Sequence, residues 1–328
     1  MATPPAPVMG PAMTGTATVP TAQVEPLTGP SAGRRPRRRV WSYWRFYLAL
    51  SPFYILFAVF GLYPMLSTIV LAFQRWDGLS PRRFSGIDNF RFLVEDPTFW
   101  LSLQNTVVLF FMSTVPTLAI ALVLAVMLQS AVRFTNVYRI GYFIPNVTSL
   151  VAMAIFFGSV FSTNFGLVNA GLRSLGIPEQ DWLGQPWGIK IAISTMIVWQ
   201  WVGYNTLIYL AGLQAIPKEQ YEAAKVDGAG AVRTFFSITL PQLRPVVLFT
   251  VVISTIGGLQ TFTEPQVMVG NSGGTDQSGM TVVLFFYRAA FLDNDYGYAA
   301  AIALSIFALV LLFTAVNWRI FRGRSETT

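Results

Sequence analysis

Long apolar runs separated by short polar intervals dominate the hydrophobic pattern of this chain. Six runs are long enough to cross a bilayer, which takes about 20 residues of helix. They cover residues 46–73, 105–128, 142–161, 189–213, 246–265 and 298–318. The third run is the least regular, because the polar residues Thr148 and Ser149 follow Pro145 near its start. The pattern therefore predicts an all-α polytopic membrane protein, with six transmembrane helices in a domain spanning residues 41–322.

Positive charge predicts the orientation of these spans. Most of the 22 Lys and Arg residues fall in one alternating set of intervals, which includes the cluster 34–39 and the interval 214–244. Cytoplasmic intervals of membrane proteins carry an excess of Lys and Arg. Both termini and the interval 214–244 are therefore predicted to be cytoplasmic.

Both ends of the chain are predicted to lie outside the membrane domain. Residues 1–40 are rich in Pro, Ala, Thr and Gly and end in an Arg cluster. Such a segment buries too little apolar surface to offset its ordering entropy. We expect a disordered, basic, cytoplasmic N-terminal tail over 1–40 and a short cytoplasmic tail over 323–328.

Composition narrows the chemistry that the chain can perform. Of its 328 residues, 53% are hydrophobic and 11% are charged, and the mean hydropathy is +0.53. There is no Cys and no His, which excludes thiolate metal sites and removes the commonest general base. We therefore predict no catalytic and no metal-binding residues, and an intramembrane enzyme is disfavoured. The net charge of +7 reflects membrane topology rather than nucleic-acid binding.

The spans carry no Asp, Glu, Lys or Arg near their centres. Ion and proton pathways retain such residues, although each costs about 3 kcal/mol at a helix centre. The pattern favours an uncharged passenger and an energy source outside this chain. A secondary transporter or channel for an uncharged solute remains the alternative.

The polar interval between the fourth and fifth runs predicts a short helix over residues 216–230. Pro217 suits its first turn, Glu219 complements its dipole, and Gly228 suits its C-terminal cap. Pro241 and Pro245 are expected to end the next helical segment before the fifth span.

The side chains of this predicted helix suit contact with another protein. Ala223 and Ala224 are expected to leave a flat surface, and Glu222 and Asp227 to offer acceptors for a basic partner. A solvated linker between two spans is the competing interpretation.

A family resemblance rests on Glu222-Ala223-Ala224, Gly228, Ile238 and Leu240-Pro241. This pattern resembles the EAA loop of binding-protein-dependent ABC importer permeases, and its flanks are similar to the sugar (MalF-like) branch. Further matches lie elsewhere, at Gly86-Ile87-Asp88-Asn89-Phe90, Phe99-Trp100, Gly166-Leu167-Val168-Asn169 and Gly297-Tyr298-Ala299. The resemblance covers about residues 46–320. Gly273-Gly274-Thr275 departs from the Gly-Gly-Pro that is frequent in the family.

The resemblance implies a type I ABC importer permease in a bacterial cytoplasmic membrane. Its partners would be a second permease subunit, a cytoplasmic ATPase dimer and an extracytoplasmic sugar-binding protein. The chain has no G-x-x-x-x-G-K-[ST] motif, so ATP and Mg would bind the ATPase and this subunit would hold no cofactor. The implied ATPase-coupling residues are Glu222, Ala223, Ala224, Asp227 and Gly228.

Polar residues in the fourth and fifth runs predict the substrate pathway, because hydroxyls and amides are unfavourable against lipid. The resemblance places sugar contacts on the same two helices. The candidates are Gln200, Gly203, Tyr204, Asn205, Thr206, Ser254, Gly257, Gly258, Gln260 and Thr261. The small residues among them are equally compatible with helix packing. The implied cargo is a carbohydrate, favoured as a di- or oligosaccharide, and maltose is not implied.

Overall fold

A computed structural model describes residues 44–130 and 135–322. The two predicted tails, residues 1–40 and 323–328, lie outside these described residues. The chain divides into two units, residues 1–56 and 57–328. The described part of the first unit is helical, and its large apolar side chains, such as Phe46 and Phe53, are exposed.

The described chain is mostly helical. Its helices are α1 (Trp44–Phe57), α2 (Tyr63–Leu71), α3 (Asp88–Glu95), α4 (Pro97–Ser130), α5 (Thr135–Val147), α6 (Leu150–Val160), α7 (Leu167–Ser174), α8 (Pro186–Gln214), α9 (Lys218–Val226), α10 (Ala231–Thr234), α11 (Leu240–Gly258), α12 (Thr263–Val269), α13 (Val282–Phe291) and α14 (Tyr296–Arg322). There are also π-helical turns at Ala58–Leu62 and Phe235–Thr239, and a 3-10 turn at Thr275–Gln277. Two short strands, β1 (Gln74–Arg75) and β2 (Arg83–Phe84), pair antiparallel.

Four described helical stretches are long and apolar enough to cross a membrane. They are Phe46–Leu71, Pro97–Gln129, Ala231–Gly258 and Tyr296–Arg319. The predicted span 189–213 corresponds to α8, which at 29 residues is about 44 Å long. Its Gln, Asn, Tyr and Trp residues make it less apolar than those four. Six spans therefore remain a prediction for this chain.

The predicted third span is not a straight helix. Gly141–Val147 and Leu150–Val160 meet at an angle of 108°, which makes this region either a broken span or a re-entrant loop. The break lies at Thr148 and Ser149, where the Thr148 hydroxyl donates to the Ile144 carbonyl at 2.9 Å. The same polar residues made the hydrophobic pattern irregular.

The fifth span begins earlier and ends earlier than predicted. A continuous helix runs over Ala231–Gly258, so the expectation that Pro241 and Pro245 end the preceding segment is wrong. A π-helical turn, Phe235–Thr239, lies just before Leu240-Pro241. Such turns let a helix continue where proline removes a backbone donor. Pro265, the predicted end of this span, lies instead in the separate helix α12.

Helix α8 lies at the centre of the second unit and packs extensively against α4. Leu109 of α4 and Ile189, Ile193 and Ile197 of α8 form one buried apolar cluster. A second cluster joins α4, α8 and α11 through Ala125, Tyr209 and Leu243. The helices that carry the candidate pathway are thus part of the packed interior.

Three of the motifs that resemble the permease family, at residues 86–90, 166–169 and 297–299, stabilise connections between helices. The Asn89 amide donates to the carbonyls of Ala72 and Gln74, both at 2.9 Å. At Gly297, a side-chain carbon would lie only 2.1 Å from the same Gln74 oxygen. The buried Asn169 amide donates to the Thr163 and Gln180 carbonyls and accepts from the Trp182 indole. These contacts hold β1 against α3 and α14, and hold α7 against the loops on either side of it.

Candidate functional site

Helices α8 and α11 enclose a cavity of about 270 Å³ together with α4, α6 and α12. Its volume is close to the lower end of small-molecule sites, about 300 Å³. Hydroxyl and amide groups line it beside aromatic and aliphatic side chains. Such a lining can hydrogen-bond a polyhydroxylated solute and also present apolar faces to it.

Seven of the ten predicted pathway residues line this one cavity. They are Tyr204, Asn205, Ser254, Gly257, Gly258, Gln260 and Thr261. The other three are Gln200, Gly203 and Thr206, and the structure does not bring them to the cavity wall. Binding of a substrate there remains a prediction.

The helical period explains why these three residues lie elsewhere. The α8 residues on the cavity wall are Ile197, Trp201, Tyr204 and Asn205, which follow the spacing of one helix face. Gly203 lies on another face, where a side-chain carbon would be 1.6 Å from the carbonyl oxygen of Tyr142. It is a close-packing residue, as the competing interpretation held.

The remaining two residues of this group are buried. Thr206 is fully buried, and its hydroxyl donates to the Val202 carbonyl of its own helix at 2.7 Å. The Gln200 side chain is 5% exposed, and its Oε1 has no partner within the described chain.

The neighbouring glycines of α11 differ in the space around them. At Gly257 an added side-chain carbon would meet nothing within 4 Å. At Gly258 it would lie 2.9 Å from the Phe110 ring and 3.0 Å from the Thr114 hydroxyl. Gly257 thus borders open cavity space, whereas Gly258 lets α11 approach α4 closely.

Several cavity residues were not among the predicted candidates. Thr114 and Thr117 of α4 line the cavity, and the buried Thr117 hydroxyl has no partner within the described chain. Glu264 of α12 also lines it. The regular spacing of hydroxyls in the second span could have indicated the threonines. Glu264 carried no comparable signal, because it falls at the end of the predicted fifth span.

The helix predicted in the polar interval is α9, Lys218–Val226. Glu219 lies in its first turn as predicted, but Pro217 is the N-cap residue and not part of the first turn. Gly228 has a φ of +71°, and the amides of Gly228 and Ala229 donate to the carbonyls of Lys225 and Ala224 at 3.1 and 2.8 Å. This is a Schellman cap, in which glycine supplies the left-handed residue.

Four of the five predicted coupling residues are exposed on this segment: Glu222, Ala223, Asp227 and Gly228. Ala224 is only 7% exposed, so the expectation that it forms part of a flat outer surface is wrong. Its small side chain instead lets α9 pack against the rest of the chain. Exposed apolar residues absent from the prediction lie nearby: Val226 is 88% exposed, Val232 73% and Phe236 61%.

Side-chain contacts connect α9 to the helix that lines the cavity. The hydroxyls of Tyr221 and Thr239 are 3.2 Å apart, and the amides of Gln220 and Gln242 are hydrogen-bonded. Thr239 and Gln242 belong to the continuous helix Ala231–Gly258, whose other end carries Ser254 and Gly257 on the cavity wall. One continuous helix therefore joins the contacts of α9 to the cavity wall.

These features define a multi-pass membrane protein with a largely apolar cavity that presents several polar groups, and with an exposed capped helix tied to one of its spans. No cluster of three or more metal-ligating side chains occurs among residues 44–130 and 135–322. Residues 93–324 match the family described as binding-protein-dependent transport system inner membrane component, and the chain belongs to that family.

Similar proteins share most of the chain. The lactose transport system permease protein LacF of Rhizobium radiobacter is 38% identical over 282 residues, 85% of this chain and 94% of that protein. The arabinooligosaccharides transport system permease protein AraP of Bacillus subtilis is 35% identical, covering 84% and 89%. The diacetylchitobiose uptake system permease protein NgcF of Streptomyces coelicolor is 34% identical over 323 residues, covering 93% and 91%.

Solved structures show the same fold. A bacterial ABC transporter involved in the import of the acidic polysaccharide alginate matches with a TM-score of 0.75 and 23% identity, covering 87% of this chain and 97% of that one. The same transporter type was also solved with a periplasmic protein bound to an alginate pentasaccharide. At this identity the match describes the arrangement of helices.

Proposed function

We propose that the chain is a transmembrane permease subunit of an ATP-driven ABC importer for a di- or oligosaccharide. The observation that carries the proposal is the single helix Ala231–Gly258, which lines the cavity and contacts the exposed helix α9. Relatives named for lactose, arabinooligosaccharide and diacetylchitobiose transport support a carbohydrate cargo.

The proposed assembly contains a second permease subunit, a cytoplasmic ATPase dimer and an extracytoplasmic sugar-binding protein. The chain would cross the membrane six times with both termini in the cytoplasm, and α9 would then lie on the ATPase side. ATP hydrolysis belongs to the partner, and this subunit is not an enzyme.

The proposed docking surface is the exposed side of α9 and its cap. Glu222 and Asp227 would accept hydrogen bonds from basic side chains of the ATPase, and Ala223 would permit close approach. Val226, which is 88% exposed, would supply apolar area to the same contact. Buried apolar groups at the centre and polar groups at the rim are typical of protein interfaces.

The proposed mechanism follows the contacts of α9. Closure of the ATPase dimer would displace α9, and the Tyr221–Thr239 and Gln220–Gln242 contacts would pass the displacement to the helix Ala231–Gly258. The cavity wall at Ser254 and Gly257 would then move relative to Tyr204 and Asn205 on α8. Such a change would alternate access to the two sides of the membrane.

Uptake in the native host tests this function. A strain lacking this gene should lose uptake of at least one of three labelled probes, namely lactose, arabinobiose and diacetylchitobiose, and the intact chain should restore it. Replacing the catalytic carboxylate of the partner ATPase should abolish the same uptake. Uptake that persists without ATP hydrolysis would instead favour a secondary transporter or channel.

A further inference from the structure

Glu264 is a buried carboxyl group at the wall of the cavity. Glu264 is only 7% exposed and lies in the first turn of α12, a short helix that follows the end of α11. No Lys or Arg of the described chain forms an ion pair with it, since the three ion pairs there join Arg91–Glu95, Arg173–Glu179 and Arg288–Asp293.

The cavity wall therefore carries an acidic group and no basic group. Glu264 is the one ionisable carboxyl group among the lining residues, and no Lys or Arg lines the cavity. A negatively charged solute moved from water into such a site would lose hydration without gaining a cationic partner. A neutral solute with several hydroxyl donors loses less hydration energy than an anion and could donate to the carboxyl oxygens.

The fold itself does not decide the charge of the cargo. A solved importer of the acidic polysaccharide alginate has the same arrangement of helices. Selection by charge must therefore depend on individual residues around the cavity.

We propose that Glu264 is a specificity-determining residue of this permease, accepting hydrogen bonds from hydroxyl groups of neutral saccharides and excluding saccharides that carry a carboxylate. This inference rests on the proposed carbohydrate transport and adds a residue and a rule of charge selection to it. Polar contacts to sugar hydroxyls set orientation in such sites, while apolar walls provide much of the buried area.

The test uses the purified complex of both permease subunits and the ATPase without the binding protein, because the binding protein makes its own selection. The first probe is whichever of lactose, arabinobiose and diacetylchitobiose the native host takes up best. The second is the same disaccharide oxidised at one primary hydroxyl to a carboxylate. Equilibrium dialysis with labelled sugar measures binding of each.

We expect the wild-type complex to bind the neutral probe at least about tenfold more tightly than the oxidised one. This ratio corresponds to about 1.4 kcal/mol, which is within the range of repulsion between two like charges in a partly shielded site. Glu264→Gln keeps the shape and should narrow this ratio to within about threefold. Glu264→Leu removes the acceptor and should weaken binding of the neutral probe. The matched control is Glu95→Gln, which neutralises an exposed carboxylate of α3 and should leave the ratio unchanged.

The outcomes separate the two levels of the proposal. If no neutral disaccharide is taken up by the host, the proposed carbohydrate function fails and the role of Glu264 fails with it. If uptake and neutral binding are normal but Glu264→Gln leaves the ratio unchanged, only the role of Glu264 is overturned. If the Glu264→Leu complex fails to assemble, the test relies on Glu264→Gln, which preserves the side-chain volume.

Discussion

The cavity and the α9 segment are built in opposite ways. The cavity wall consists of residues from five helices that approach one another through buried contacts, such as Gly258 against Phe110. The α9 segment is largely exposed and is held by its own cap, by the buried Ala224 and by two side-chain contacts to one helix. A substitution in the cavity should therefore change which solute is transported. A substitution in α9 should change how well ATP hydrolysis drives that transport.

The largest effect is expected where α8, one of the cavity helices, meets the backbone of α5. In Gly203→Ala the new carbon would overlap the Tyr142 carbonyl, 1.6 Å away, so α5 and α8 would have to separate. Overpacking of this kind costs about 3 kcal/mol at its upper end. We expect loss of the assembled complex, measured by its amount in membranes and its thermal unfolding midpoint. Gly257→Ala is the matched control and should unfold at the wild-type temperature, because nothing lies within 4 Å of the new carbon.

The next effect should appear at the cap of α9. Gly228→Val places a β-branched residue at a φ of +71°, which such residues rarely adopt. We expect uptake to fall at least about tenfold while the subunit stays in the membrane, because a strain of about 2 kcal/mol favours loss of the cap. Gly228→Asn tolerates the left-handed conformation and should retain most activity. Equal loss in both variants would contradict the role of backbone geometry.

A cavity variant should separate cargo from coupling. Tyr204→Ala removes an aromatic ring that contacts Trp201 edge to face on the cavity wall. We expect about tenfold lower uptake from the loss of roughly 1.4 kcal/mol of contact, with unchanged co-purification of the ATPase. Thr206→Val changes a neighbouring buried residue that does not line the cavity and should transport normally. Released ATPase in the Tyr204 variant would contradict the separation of the two regions.

The smallest effect concerns the connection between the two regions. Tyr221→Phe and Thr239→Val each remove one hydroxyl of the 3.2 Å contact. A hydrogen bond of this type contributes about 1 kcal/mol. We expect each variant to lower the number of sugars carried per ATP a few-fold, and the double variant to be no worse than either single variant. Additive losses would show that the two hydroxyls act separately.

The two regions also differed in how far the sequence predicted them. The α9 segment depends on neighbouring residues, so Glu219 and Gly228 indicated its start and cap correctly. The sequence did not show which side of α9 faces the rest of the chain, because Ala223 and Ala224 are identical side chains and only the fold decides which one is buried. Ala224 is the buried one.

The cavity depends on helix phase and on contacts between distant segments. Polar residues of α8 were recognised as a group, but one step along a helix turns a side chain by 100°, which moved Gly203 to the face against Tyr142. Glu264 reached the wall because the fifth span ends at Gly258 and a short helix follows. The adjacent glycines Gly257 and Gly258 are a local signal for that early end, but they were assigned to the substrate pathway instead.

The adjacent glycines of α11 suggest how this scaffold can diversify. At position 257 the fold has room for a larger side chain, and at position 258 it has almost none. Gene duplicates could therefore acquire a narrower compartment by mutation at 257 while the architecture stays intact. In a library randomised at codon 257, most variants should therefore still fold, and they should differ in the molecules that they transport.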